Sequence, residues 1–320
     1  MTPAGTRPWD RPALVMLAAG IAKRYGGCKP LAPVGLHGEA VIDLTTSDAL
    51  EAGFGDVVLV LGPQSGPAIR YHVQRCWPGS VSVAAVEQTK PLGTAHALLC
   101  ARRAVGDRPF GVVNADDVYG VEPLVTLAEH LAAEMAGPGA PAPARAGRDG
   151  EHALVAFPLS DTIVTADPVT RGTVAADGEG MLGSIVERRY VARRDDGRFV
   201  VGDGLEPGVL PGTTPVSMNL WGFRPSIWPV LQKAVRAEHP GVGHDGSIRT
   251  PPVSEHEVLL PEVIGRMVRA GGRGHAVRVL AGTGRCIGVT HAEDLPVARV
   301  ELAELVGRGL RAEWPWEAVR

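Results

Sequence analysis

Three short segments of this chain gather residues that can handle phosphate. The first runs from Leu14 to Leu31, LVMLAAGIAKRYGGCKPL, where an apolar run opens into a loop carrying Lys23, Arg24 and Lys29. Ala18, Ala19 and Gly20 are small enough for a nucleotide to approach the main chain, whose N–H groups can then point at phosphate oxygens. Arg24 and Lys29 add positive charge, the former as a fork and the latter as a point. The second segment is QTKPLGTAHA, starting at Gln88, and the third is NADD, from Asn114 to Asp117. The glycines do not fall as G-x-G-x-x-G, and Pro30 follows Lys29, so neither a dinucleotide fingerprint nor a Walker A loop is present.

Each of these segments directly follows an apolar run. The sequence predicts strands over 13–18, 56–61, 81–86 and 110–114, alternating with helices over 41–53, 66–76, 93–105 and 122–136. Strands that are apolar throughout and separated by helices indicate a parallel sheet covered on both faces. Ligands of such sheets bind beyond the carboxyl ends of the strands, which is where the three polar segments converge. Residues 137–150, GPGAPAPARAGRDG, read as a mobile surface loop. Beyond them strands are expected near 152–157, 172–176, 183–187, 216–223, 275–280 and 285–289, with helices over 226–238, capped by Ser226, 257–270 and 291–307. The expected organisation is a flexible tail over 1–12 and one domain over 13–320. Its halves are a nucleotide-binding part at 13–136 and a second part at 151–320.

The bulk properties exclude several function classes. A net charge of −3 gives no electrostatic reason to expect nucleic acid or an anionic membrane as partner. Cys28, Cys76, Cys100 and Cys286 form no C-x-x-C pair and have no histidine at ligand spacing, against a zinc site or a disulfide framework. A reducing cytoplasm is the expected compartment. Residues 1–12 lack the apolar core of a signal peptide, and no apolar run reaches membrane-spanning length. There is no hexapeptide repeat of a β-helix, so no acyltransferase tail is expected.

Taken in order, the three segments resemble the sugar-1-phosphate nucleotidyltransferases, the pyrophosphorylases that make nucleotide sugars. The family's first loop, roughly L-A-A-G-x-G-x-R with a lysine a few residues on, is matched by Leu17, Ala18, Ala19, Gly20, Arg24 and Lys29. Ala22 stands where a second glycine is usual. The P-L-G-T-A segment is intact from Pro91 to Ala95. Ser184-Ile185-Val186-Glu187 is similar to the sugar-contacting strand, and Val216-Ser217-Met218-Asn219 to the strand that supplies a second metal ligand.

The resemblance implies a Rossmann-like GT-A type α/β fold, a central mostly parallel mixed sheet flanked by helices. It implies transfer of a nucleotidyl group from a nucleoside triphosphate to a sugar 1-phosphate or a cyclitol phosphate, with Mg²⁺ as cofactor. Arg24 and Lys29 would act on the triphosphate. Leu17, Ala18, Ala19, Gly20, Gln88, Pro91, Gly93 and Thr94 would bind the nucleotide, with Gly93 letting the base approach the backbone. Glu187, Asn114 and Asn219 would bind the sugar phosphate, helped by Arg188 and Arg189, and Asp116 and Asn219 would hold the metal. Asp117 is the second carboxylate, suited to capping the next helix. The primary amide of Gln88 can both donate to and accept from a pyrimidine edge, which favours UTP or dTTP. Guanylyl or adenylyl transfer is the alternative chemistry, and a non-catalytic nucleotide-binding regulator, hinted at by Ala22, the alternative class. The end at Trp314-Pro315-Trp316 can pack on the domain or against a second subunit of a homo-oligomer.

Overall fold

Runs of Val, Leu and Ala without polar alternation are stable only as strands covered on both faces. The computed structural model describes residues 10–20, 27–133, 151–162, 167–252, 254–272, 274–289 and 292–317. In it β1 (Ala13–Ala18), β2 (Asp56–Leu61), β3 (Val83–Glu87) and β4 (Phe110–Asn114) lie parallel in the order β3-β2-β1-β4. Alternate side chains enter two separate cores. Ala13 and Val15 join Val58 and Val60 on one face, whereas Leu14, Met16 and Ala18 join Val57, Leu59 and Leu61 on the other. Burying each Val or Leu contributes roughly 1.5–3 kcal/mol, so both faces must be covered for the sheet to persist. The helices α1 (Val41–Glu51), α2 (Gly66–Cys76) and α5 (Val121–Ala132) supply the second core. The first core is closed by α3 (Thr94–Cys100), α6 (Ile227–Glu238) and α7 (Leu260–Ala270).

The second half of the chain extends this same sheet. Its strand β11 (Pro215–Phe223) lies antiparallel between β4 and β6 (His152–Pro158), and β12 (Val277–Ala281) runs parallel to β6. The first residues of β11 also pair with β7 (Val169–Ala176), from which β8 (Leu182–Arg193), β9 (Phe199–Val201) and β10 (Val209–Leu210) continue antiparallel. A separate two-stranded ribbon joins β5 (Asp117–Val118) to β13 (Ile287–Gly288).

Several boundaries differ from the sequence expectation. The expected helix 93–105 is divided at Ala101 into α3 and α4 (Arg102–Val105). The helix expected from 257 starts at Leu260, where Pro261 suits a first turn that needs no N–H. Ser226 occupies the N-cap position of α6 but makes no capping hydrogen bond with its side chain. The last helix, α8, spans Leu295–Gly307. The loop expected at 137–150 lies outside the described residues. The tryptophan end packs on the body of the domain: Trp314 stacks on His37 with ring centroids 3.7 Å apart, and the Trp316 N–H donates to Ser47 Oγ at 2.8 Å.

Candidate active site

Strand register aligns the carboxyl ends of the parallel strands. Ala18 pairs with Leu61, Leu61 with Glu87, and Leu17 with Asn114, so the chain leaves the sheet along one edge at Ala19, Gly62, Gln88 and Ala115. The expected convergence of polar segments is therefore observed for the parts described. Arg24, with Ala22 and Lys23, lies outside the described residues.

At this edge Lys29 Nζ stands 3.7 Å from Asp116 Oδ2, with the two side chains 18% and 37% exposed. Burial raises the Asp116 carboxyl above the ordinary aspartate value, and the Lys29 charge opposes that rise. An open carboxylate beside a cation can exchange that partner for a metal ion or a phosphate. Asp117 is turned the other way. Its Oδ2 accepts from Asn114 Nδ2 at 2.9 Å, and burial together with the charge of Asp116 pushes its carboxyl to about 7. It caps no helix; it lies in β5, and Gly120 is the N-cap of α5. One N–H of the Asn114 amide is thereby committed to Asp117, and its second N–H and its carbonyl oxygen remain.

Asn219 lies on β11, next to β4. The pairing of these strands runs from Phe223–Phe110 to Trp221–Val112, and Asn219 stands two residues beyond it. Between Ser217, opposite Ala156, and Leu220, opposite Val155, two residues bulge from the strand, and Asn219 holds a φ of 59°. Asparagine is among the few side chains that tolerate this region. Its N–H donates to Ser217 Oγ at 3.2 Å, and its Oδ1 accepts from Trp221 Nε1 at 3.3 Å. The buried Tyr119 hydroxyl ties the two strands, donating to Met218 O at 2.8 Å and accepting from Asn114 N at 3.0 Å. Further along, Glu187 pairs with Gly172, which in turn pairs with Ser217. Gly172 carries no side chain, and Ile185 fills the space over it: a Cβ there would come within 3.1 Å of Ile185 Cγ2.

The segment after β3 is built differently from the sequence expectation. Gln88 is only 5% exposed, and its amide nitrogen donates to Gly93 O at 2.9 Å and to His96 Nδ1 at 3.1 Å. His96 Nε2 in turn donates to Gly246 O at 2.9 Å. Burial holds the imidazole below its ordinary value, and the two partners set this tautomer, with Nδ1 accepting and Nε2 donating. Gln88 thus has no N–H left for a base, and its carbonyl oxygen is the part that remains. Gly93, at φ 95°, admits another segment of the protein itself: a Cβ there would come within 2.5 Å of Val258 N. Thr94 Oγ1 accepts from Leu260 N at 2.8 Å, and Pro91 is exposed beside the buried Leu92. Arg188 is also an internal group. Its guanidinium grips both oxygens of Asp203 at 2.7 and 3.2 Å and donates to Leu205 O and Pro207 O, while Arg189 pairs with Glu187.

Comparison with known proteins places the chain in a family. The pattern described as a MobA-like NTP transferase domain matches residues 14–200. The chain belongs to that family. Among curated relatives of this NTP transferase domain, a UTP–glucose-1-phosphate uridylyltransferase of Escherichia coli is 28% identical over 167 residues, half of each chain. The bifunctional protein GlmU of Sinorhizobium medicae is 31% identical over 187 residues, 57% of this chain and 35% of that one. The chain thus spans a third to a half of the length of the curated relatives it matches. Two solved structures share the fold at a TM-score of 0.56. HddC from Yersinia pseudotuberculosis has 14% identity over 91% of this chain and 99% of that one. The inositol-1-phosphate CTP transferase of T. maritima has 13% identity over 92% and 97%.

One half-buried cation of this NTP transferase domain carries no motif in the sequence. Arg171 donates from Nε to Thr162 Oγ1 at 3.1 Å and from Nη1 to Thr170 O at 2.9 Å. Its charge acts on Asp117 and on the buried thiol of Cys286. It follows Thr170 in an unremarkable strand, and no motif marks it. For the metal, the donor set is one open carboxylate, Asp116, and the amide oxygen of Asn219. Among the described residues no group of three or more His, Cys, Asp or Glu forms a cage. Hard oxygen donors in this small number fit Mg²⁺, which keeps water and substrate phosphate in its shell.

Proposed function

We propose that this domain transfers a nucleotidyl group from a nucleoside triphosphate to a sugar 1-phosphate or a cyclitol phosphate, releasing pyrophosphate. The observation that carries the reading is the half-open Lys29–Asp116 pair at the carboxyl edge of β1 and β4, with Asn219 held in a two-residue bulge of the adjacent β11. Membership of the NTP transferase family supports it.

In the reaction an oxygen of the acceptor phosphate forms a bond to the α-phosphorus, and the bond from that phosphorus to the β-phosphate bridging oxygen breaks. The acceptor oxygen is already anionic near neutral pH, so no general base is needed. The protein has to bring two anions together in line. Lys29 neutralises phosphoryl charge on the β1 side. Gly20, at the exposed end of β1, leaves its backbone open to the triphosphate. Asp116 and Asn219 would hold Mg²⁺, which when bound supplies further charge neutralisation on the triphosphate. Glu187, exposed on β8, accepts from hydroxyl groups of the acceptor. The Gln88 carbonyl meets the base: uracil and thymine offer it a ring N–H, cytosine an amino group.

The test is pyrophosphate release with Mg²⁺, using UTP, dTTP, CTP, GTP and ATP against sugar and cyclitol 1-phosphates. Release that requires both substrates is expected, strongest with a pyrimidine triphosphate. Binding of nucleotide without release from any pair would replace this reading with a regulatory nucleotide binder.

A further inference from the structure

Away from the parallel-strand edge, a cavity of about 420 Å³ opens between the end of α6 and the segment 240–250. Its wall includes Gln232, Arg236, His244, Arg249 and Thr250, and it contains no carboxylate. Among the described residues neither Arg236 nor Arg249 is held by an ion pair. The surroundings add charge of the same sign: Arg102 donates to His244 O at 3.1 Å. The nearby Asp245 is already satisfied by Arg103 at 2.9 Å and by Ser247. In a chain whose net charge is −3, such a concentration of guanidinium groups around a concave site is a local feature. Two free forks facing one cavity match the tetrahedral oxygens of phosphate.

The segment that forms the wall is a small hairpin. Val242 bridges Ile248 antiparallel, the Arg249 N–H donates to Gly241 O at 2.9 Å, and the Gly243 N–H to Ser247 O at 2.8 Å. Its tip, Gly246, has a φ of 74° and sits so close to α3 that a Cβ would come within 2.7 Å of Cys100 N. The carbonyl of this same Gly246 accepts from His96, which accepts from Gln88. One arm of the hairpin therefore carries Arg249 into the cavity, and its tip holds the residue that contacts the proposed base site. A ligand that draws Arg249 toward Arg236 on α6 shifts the hairpin, and the shift reaches Gln88 through a single imidazole.

We propose that this cavity binds a phosphate group, free or on a small phosphorylated metabolite, and that its occupation changes the affinity of the nucleotide site. The proposal rests on the nucleotide-binding reading only for the coupling; binding in the cavity stands by itself. Coupling of this kind is reciprocal, and differences of about 5- to 150-fold are typical.

The experiment measures binding of inorganic phosphate and of glucose 6-phosphate by ³¹P line broadening and calorimetry. Wild type, the double variant Arg236→Ala/Arg249→Ala and the variant Lys29→Ala are compared. Arg236 and Arg249 are exposed, so the double variant is expected to keep the wild-type melting temperature. Saturable binding that survives Lys29→Ala and weakens at least 10-fold in the double variant is expected. A tighter site for glucose 6-phosphate identifies a phosphate ester as the ligand, and equal affinity identifies free phosphate. With the preferred probe at saturation, the UTP dissociation constant is expected to shift at least 3-fold in wild type. That shift should vanish in the double variant and in His96→Gln, the latter with cavity binding intact. Binding unaltered in the double variant, or lost in Lys29→Ala, overturns the proposal, as does an unchanged UTP affinity with the cavity filled. None of these readings requires turnover, so failure of the proposed activity is detected separately.

Discussion

His152, the first residue of β6, gives this fold a measurable acid sensitivity. The side chain is fully buried, its Nδ1 accepts the Arg224 N–H at 3.2 Å, and the ring meets Phe223 edge-on at 5.4 Å. Burial first, and the charge of Arg224 second, push the imidazole from 6.5 down to about 4. The folded protein therefore holds a neutral ring where the unfolded chain takes up a proton, and stability rises with pH across that window. This contribution is present above pH 6.5 and is lost as pH falls toward 4, reaching about 3 kcal/mol in full. Between pH 7.5 and 5.0 the expected loss is about 2 kcal/mol. Urea unfolding of wild type and His152→Asn at both pH values isolates it, because carboxylates titrate alike in the two proteins. The variant starts less stable, having lost the Phe223 contact, but should lose about 2 kcal/mol less on acidification. Equal losses in the two proteins would refute the assignment of the acid sensitivity to this buried ring.

Four further variants test the structure and its site. Asp116→Ala should abolish pyrophosphate release with an unchanged melting temperature, and Lys29→Ala should lower kcat by about 10²- to 10³-fold, as expected for loss of a preorganised charge on a transferring phosphoryl group. Normal turnover in either would remove the proposed centre. Gly93→Ala should cost more than about 2 kcal/mol in urea unfolding, since it combines a positive φ with a collision against the Val258 backbone. A neutral result would mean that the segment 256–260 yields freely. Arg188→Ala should open residues 203–207 to limited proteolysis while the KM for the acceptor phosphate stays at the wild-type value; a large rise in that KM would return Arg188 to the substrate site.

How far the sequence can be read depends on whether a residue's role is set by its neighbours in the chain. The strands 13–18, 56–61 and 110–114 and the helix 66–76 are read at their observed bounds, because strands covered on both faces leave a continuous apolar signature. The edge strand β3, expected over 81–86, spans Val83–Glu87, and the two- and three-residue strands β5, β9 and β10 are too short to leave such a signature. Of the candidate site, Lys29 and Asp116 meet as their motifs imply. The internal partners of Gln88 and Arg188 are set by the fold and not by their motifs: Gly93 and His96 for one, Asp203 for the other. The bulge at Asn219 was invisible, since it is defined by the register against β6. Arg171 was missed for the same reason, as its significance comes only from proximity to Asp117 and Cys286.

The central position of β11 has a consequence for biosynthesis. The stretch that matches the family pattern ends at residue 200, yet the strand that fills the middle of the sheet begins at Pro215. As the chain leaves the ribosome, β4 and β6 are synthesised long before the partner that must lie between them. Until Phe223 has emerged, each presents an unpaired apolar edge, the feature by which nascent strands find wrong neighbours. A fragment cut at the boundary of the family match would keep that edge permanently. Expression of residues 14–200 alone should therefore yield aggregated protein, and a soluble minimal domain has to extend through β11.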